Sequence, residues 1–248
     1  MSSTTQGSFT KAYSAYDNMP YEGFSNLEML VVERALRLAW SESSKRFYCH
    51  QIDFSSADED GISGALMNVF DNIWSNDRHL LSELAELFQP VPEFNSQRGA
   101  VDYLGHHLKY RPDLTFRRSY TAPGMSSLNG CLFIEAKRVE RSKTMGEYCG
   151  HGLKRFVDGT YAWAMPQAMM LGYVRDTGQT LPKALSDHFK RLGKTAQYNL
   201  KEGPTPFTLS RYANRTYTTE HNRTWPYPGT NKTAGPIRVH HVWFEIEN

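Results

Sequence analysis

Cysteine is scarce in this chain of 248 residues. Cys49, Cys131 and Cys149 are odd in number and lack CxxC spacing, which argues against a disulfide framework or a cysteine-rich zinc site and predicts reduced thiols. Long apolar runs are also missing. No stretch approaches the roughly 20 residues of a membrane span, and the opening MSSTTQGSFTKAYSAYDNMPY lacks the apolar core of a signal peptide. Both absences predict a cytoplasmic protein without a membrane partner, so the N-x-[ST] sequences at Asn214, Asn222 and Asn231 are read as chance matches. HExxH, GxSxG and a glycine-rich phosphate loop are all absent, which removes the best-marked zinc-protease, serine-hydrolase and nucleotide-binding classes. Nor is there an internal repeat. The net charge of +2 excludes a strongly polyanionic or polycationic chain.

What is present begins with charge placement. Residues 1–100 carry 7 Lys+Arg against 14 Asp+Glu, and residues 101–248 carry 21 against 12, so −7 is followed by +9. A basic second half suits contact with a phosphate backbone, and it equally suits a solvated surface. The hydrophobic fraction of 40% is that of a globular protein. Residues 1–24 lack periodicity and are read as a flexible arm, with one domain over 25–248. Leu27, Leu30, Val31, Ala35 and Leu38 fall at helical steps behind a capping box from Ser25 to Glu28. Ser56 and Glu59 repeat that spacing before the stripe Ile62, Leu66, Val69, Phe70 and Ile73, and helical character continues through HLLSELAELF. Strands are expected up to and after a bend at Pro112, over GCLFIEAKRV, over QAMMLGYVRD, and in the tail over FTLSRYANRTYTT and IRVHHVWFEIE. Helices are expected over EYCGHGLKRFVDGTYAWA and LPKALSDHFKRLG. This order predicts an α/β fold with a mixed central sheet flanked by helices.

The stretch CLFIEAKR carries the chemistry. Alternation along a strand puts Phe133, Glu135 and Lys137 on one face. An opposite-charge pair on such a face needs partners or a metal to offset desolvation. Upstream, RPDLTF supplies Asp113. If the two strands form an antiparallel hairpin, Asp113 lies beside Glu135, and two carboxylates converge with a lysine. Hard oxygen ligands on rigid strands suit Mg²⁺. Asp113 equally suits a turn residue or cap, and Glu135 with Lys137 a simple ion pair. The histidine pairs at 106–107 and 240–241 are read as strand or loop residues, because adjacent strand side chains point to opposite faces.

Pro112-Asp113 followed by Glu135-Ala136-Lys137 resembles the signature of the PD-(D/E)XK nuclease superfamily. The flanking elements are similar to its restriction-endonuclease-like αβββαβ core over about residues 56–175, with a β-rich extension over 204–248. The resemblance implies a Mg²⁺-dependent deoxyribonuclease, with Mn²⁺ as a substitute, cleaving phosphodiester bonds to leave 5′-phosphates. It implies metal ligation by Asp113, Glu135 and the Ala136 carbonyl, with Lys137 positioning the attacking water. Glu59 on the preceding helix would join them, with Asp60 as second choice. The helix after the motif commonly faces nucleic acid in this family, which makes Lys154, Arg155 and Tyr161 binding residues, together with Arg138, Arg141 and Lys143 on the loop. DNA is favoured over RNA. Two rivals stand beside this reading: a catalytically silent nuclease-fold module for binding or assembly, and the effector of a restriction or anti-phage system released by a helicase or ATPase partner. An oligomer is compatible with both.

Overall fold

Ser25 caps the first helix as its spacing predicts: its amide donates to Glu28 Oε2 at 2.7 Å, and its Oγ accepts from the Glu28 amide at 3.2 Å. The computed structural model describes residues 19–43, 53–90, 102–104, 112–120, 129–140, 144–175, 177–212, 215–227 and 230–246. That first helix, α1, is Asn26–Ser43. Of the expected arm, residues 1–18 lie outside the described residues. Residues 19–24 are packed rather than loose, with Met19, Tyr21 and Phe24 buried in the core.

Helix α2, Glu59–Asn76, is capped by Asp58, whose side chain accepts from the Gly61 amide at 2.8 Å. The expected box from Ser56 does not form, because Ser56 Oγ donates to Asp53 instead. Glu59 is therefore the first helical residue, with its carboxylate available for the sheet. A 3₁₀ turn (Arg78–Leu81) and α3 (Ser82–Leu87) lead into the short β1 (Phe88–Pro90). Strands β2 (Leu114–Arg118) and β3 (Cys131–Val139) follow. The next helical stretch comprises α4 (Met145–Glu147), a π-helical segment (Tyr148–Leu153) and α5 (Lys154–Val157). The remaining elements are β4 (Gln167–Val174), α6 (Leu181–Phe189), α7 (Lys194–Gln197), β5 (Leu200–Pro206), β6 (Thr216–His221) and β7 (Ile237–Glu245).

The strands form one seven-stranded sheet in the order β1-β2-β3-β4-β7-β6-β5. Strands β3, β4 and β7 run parallel at its centre, and the remaining neighbours pair antiparallel. Helices cover both faces, as the mixed α/β expectation requires. On one face Trp40 of α1 stacks on Tyr173 and Phe244, and Ser63 of α2 is hydrogen-bonded to the Tyr173 hydroxyl at 3.0 Å. On the other, Gly152 of the π-helical segment lies against Met170 and Lys137.

Two expected elements are corrected. The helix predicted over residues 147–164 stops at Val157. Gly159 takes a left-handed φ of 75° beneath the Trp225 ring, and a Cβ there would stand 2.7 Å from that ring. The strand expected from Phe207 begins only at Thr216. Its partner is LKEGPTP, whose glycine and prolines are tolerated in the outermost strand, where a missing amide donor need not break a ladder.

Candidate active site

The β2–β3 hairpin brings the two motif carboxylates together. Leu114 pairs with Ile134, so Asp113, one residue earlier, stands across from Glu135. The Ala136 amide donates to Asp113 Oδ2 at 2.6 Å and fixes the aspartate at the end of the strand. Glu135 is buried in the middle of the sheet, with its side chain 1% exposed. Its two oxygens are treated very differently. Oε1 receives Lys137 Nζ at 2.9 Å and also the Arg155 guanidinium. Oε2 is buried without a hydrogen-bond partner. A buried unpaired carboxylate oxygen is costly and calls for an explanation.

Lys137 uses all three of its ammonium donors: to Glu135 Oε1, to Glu59 Oε2 at 3.0 Å, and to the Ala136 carbonyl at 2.7 Å. Glu59 also accepts from the Arg138 amide at 3.3 Å, so the start of α2 is tied to the end of β3. Asp60, the second choice, is exposed.

Burial and the neighbouring Glu135 carboxylate push the Asp113 carboxyl up to about 7, against the opposing pull of the Ala136 amide and Lys137. Burial also raises Glu135, although Lys137 and Arg155 pull the other way. For Lys137, burial alone would lower the ammonium's value, but Glu135, Asp113 and Glu59 outweigh it and hold the group above its ordinary range. The site is therefore a crowded group of carboxylates held by cations, with negative charge under-compensated at Asp113.

The cationic residues divide. Lys154 is half-buried and paired with Asp158 one turn on. Together with Glu59, Lys137, Glu147, Gly150, His151, Arg155 and Thr160 these two line an open cleft of about 610 Å³. Arg155 is 22% exposed and reaches inward to Glu135, donating also to the Tyr161 hydroxyl at 3.3 Å. Tyr161 is buried, so it supports Arg155 and does not line the channel. Arg138 is a correction. Expected on a basic surface, it is buried, and its guanidinium holds the carbonyls of Ala57 and Ser55 and the Glu140 carboxylate at 2.7 Å. Its position beside Ala136 on the face covered by α2 makes it a brace for the segment before α2. Arg141 and Lys143 lie outside the described residues, as do His106 and His107.

Sequence reasoning missed the bond between Arg155 and Glu135, and it missed His151 and Thr160 in the cleft. His151, three residues before Lys154 on a helical stretch, shares its side of the segment, and that spacing was the available signal. His240 and His241 are buried strand residues, as read.

Among the described residues no group of three or more His, Cys, Asp and Glu side chains is gathered as a metal site. Asp113 and Glu135, placed across from each other by the hairpin register, and the Ala136 carbonyl between Glu135 and Lys137 in the strand all offer hard oxygens, and Glu135 Oε2 lacks a hydrogen-bond partner. They fit a Mg²⁺ ion that keeps several of its waters. No family, curated protein or solved structure matches the chain.

Proposed function

We propose that this protein is a metal-dependent phosphodiesterase acting on DNA, built on a restriction-endonuclease-like core. The order α2, β1, β2, β3, α4–α5, β4, with β3 and β4 parallel, agrees with the αβββαβ arrangement of that fold. One observation carries the reading: Glu135 Oε2 is buried and unpartnered, across the hairpin from an aspartate whose carboxyl is pushed up to about 7. Both features are what a divalent cation would relieve. Asp113, Glu135 and the Ala136 carbonyl would hold Mg²⁺, with Mn²⁺ as its substitute. When bound, the ion supplies Lewis-acid activation of a water and charge neutralisation at phosphorus.

The chain's own residues do the rest. Glu59 and Glu135 grip the Lys137 ammonium from two sides, so the lysine is preorganised to orient the attacking water and to stabilise charge developing on the phosphate. Lys154 and His151 on the cleft wall meet the phosphate backbone without reading bases.

The silent-module reading has one observation in its favour: Glu135 Oε1 is already neutralised by Lys137 and Arg155, as in a structural ion-pair network. A cleavage assay separates the two. Asp113→Ala and Glu135→Ala should abolish Mg²⁺-dependent cleavage of DNA. Lys137→Gln should keep DNA binding while slowing single-turnover cleavage on the order of 10²–10³-fold, as for other single electrostatic stabilisers. Undiminished cleavage by these variants, or full cleavage by the parent in EDTA, would remove the proposed site.

A further inference from the structure

Two cations compete for one oxygen of Glu135. Lys137 Nζ and the Arg155 guanidinium both donate to Oε1, while Oε2, on the same buried carboxylate, has no hydrogen-bond partner. The two are held differently. Lys137 sits two residues along β3 and is fastened by three acceptors, among them Glu59 and the Ala136 carbonyl. Arg155 belongs to the short last segment of the helical stretch, α5. It lines the open cleft beside Lys154 and Thr160, and its guanidinium stands over the Tyr161 ring at 5.6 Å from the centroid. A divalent cation brought to Glu135 adds two positive charges to a carboxylate that already carries two cations, so one of them gives way. Arg155 is the more exposed of the two, at 22% against 12% for Lys137, and sits on a separate element from Glu135; its planar fork matches a phosphate better than any other group on the cleft wall does.

We propose that Arg155 is an exchangeable counter-cation: it neutralises Glu135 while no divalent cation is bound, and turns to a phosphate of the nucleic acid once one is. Metal and DNA binding are thereby coupled through a single guanidinium. The inference rests on the phosphodiesterase reading and adds to it a positioning residue that links the two ligands. Linkage requires the coupling to be reciprocal: DNA that captures Arg155 must raise cation affinity by the factor with which the cation raises DNA affinity.

The test uses the full chain, Ca²⁺ as a binding probe that by analogy does not support turnover, and a short DNA duplex. Calorimetry should show Arg155→Gln binding Ca²⁺ at least about fivefold more tightly than the parent, the low end for coupled sites. In the parent, Ca²⁺ should steepen the salt dependence of duplex affinity by about one unit of log–log slope, because the released guanidinium neutralises one more phosphate. In Arg155→Gln that increment should vanish. The parent slope needs no variant, so it decides the matter even if Arg155→Gln folds poorly. Unchanged or weaker Ca²⁺ binding in Arg155→Gln, or a parent slope indifferent to Ca²⁺, overturns the exchange. If Asp113→Ala nonetheless loses Ca²⁺, the phosphodiesterase reading survives that outcome. No Ca²⁺ binding in parent or variant overturns both.

Discussion

Asp113 occupies an environment that works against its charge. Its carboxyl, raised to about 7 by burial and by Glu135, holds a proton more tightly in the fold than in the unfolded chain, where the ordinary value is near 3.8. Such a group stabilises the fold below about pH 4, and the contribution is lost as pH rises through about 7. Asp113→Asn keeps the acceptor for the Ala136 amide and removes the charge. It should therefore raise the melting temperature at pH 8 in metal-free buffer and change it little at pH 5. An Asn variant less stable than the parent at pH 8 would show that Asp113 is ionised without strain. A residue that destabilises its own fold where a cation could relieve it is what a ligand site requires. The convergence of Asp113, Glu135 and Lys137 was legible in the sequence because strand alternation and an antiparallel hairpin dictate it. The fates of Arg138 and Arg155 were not, since long cationic side chains find partners only through tertiary packing. Arg138 lies one residue from Lys137, yet it faces the other side of the sheet and braces the carbonyls of Ala57 and Ser55.

The helical stretch over β3 is the element that assembles the cleft, and its approach depends on one glycine. A Cβ on Gly152 would stand 2.4 Å from Met170 Cε and 3.3 Å from Lys137 Cγ, so a side chain there would force Met170 and Lys137 to shift beneath the π-helical segment. The extra residue in a π turn commonly marks a functional site. Gly152→Ala gains helix propensity of at most about 1 kcal/mol, whereas overpacking a filled layer costs about 1–3 kcal/mol. The steric term wins because Met170 is buried and Lys137 is tied by three acceptors. The variant should melt several degrees lower than the parent. Parent-like melting would mean that the segment has slack. By intrinsic propensity the glycines of EYCGHGLKRF weaken a helix. Here one of them is the reason the helix fits, while Gly159 terminates it. Strand β5 escaped notice for the complementary reason: a Gly-Pro pair is poor strand chemistry except at a sheet edge, and edge position is a property of topology.

At the scale of the whole molecule, a buried polar relay crosses the sheet from the π-helical segment to the β5–β6 edge. His221 Nδ1 is hydrogen-bonded to the Tyr198 carbonyl at 2.8 Å, so that nitrogen carries the proton and Nε2 accepts from Thr219 Oγ1 at 2.7 Å. Thr219 then accepts from His241 Nε2 at 2.8 Å, and His241 Nδ1 accepts from the Tyr148 hydroxyl at 3.0 Å. This sequence of donors and acceptors holds only with both imidazoles neutral. Burial lowers His188 and His221 to about 4 and His240 to about 3, and depresses His241 as well. In the unfolded chain these groups protonate near 6.5. The stability they lend is thus complete above about pH 6.5 and is lost as pH falls toward 4, on the order of 1 kcal/mol per pH unit for each histidine. Urea midpoints should fall steeply between pH 6.5 and 4.5; a flat profile would show that the imidazoles are protonated in the fold. The sheet that carries the relay also carries the hairpin, so acid loosening should open the cleft together with the core.

The central claim is that Asp113 and Glu135 share a divalent cation. It is tested most directly by soaking crystals of the full chain in Mn²⁺ and collecting anomalous diffraction. The account predicts a single strong peak between Asp113 and Glu135 Oε2, in reach of the Ala136 carbonyl, with the Arg155 guanidinium withdrawn from Glu135. A site without such a peak, with Arg155 still seated on Oε1, would contradict it and leave Glu135 as the centre of a structural ion-pair network.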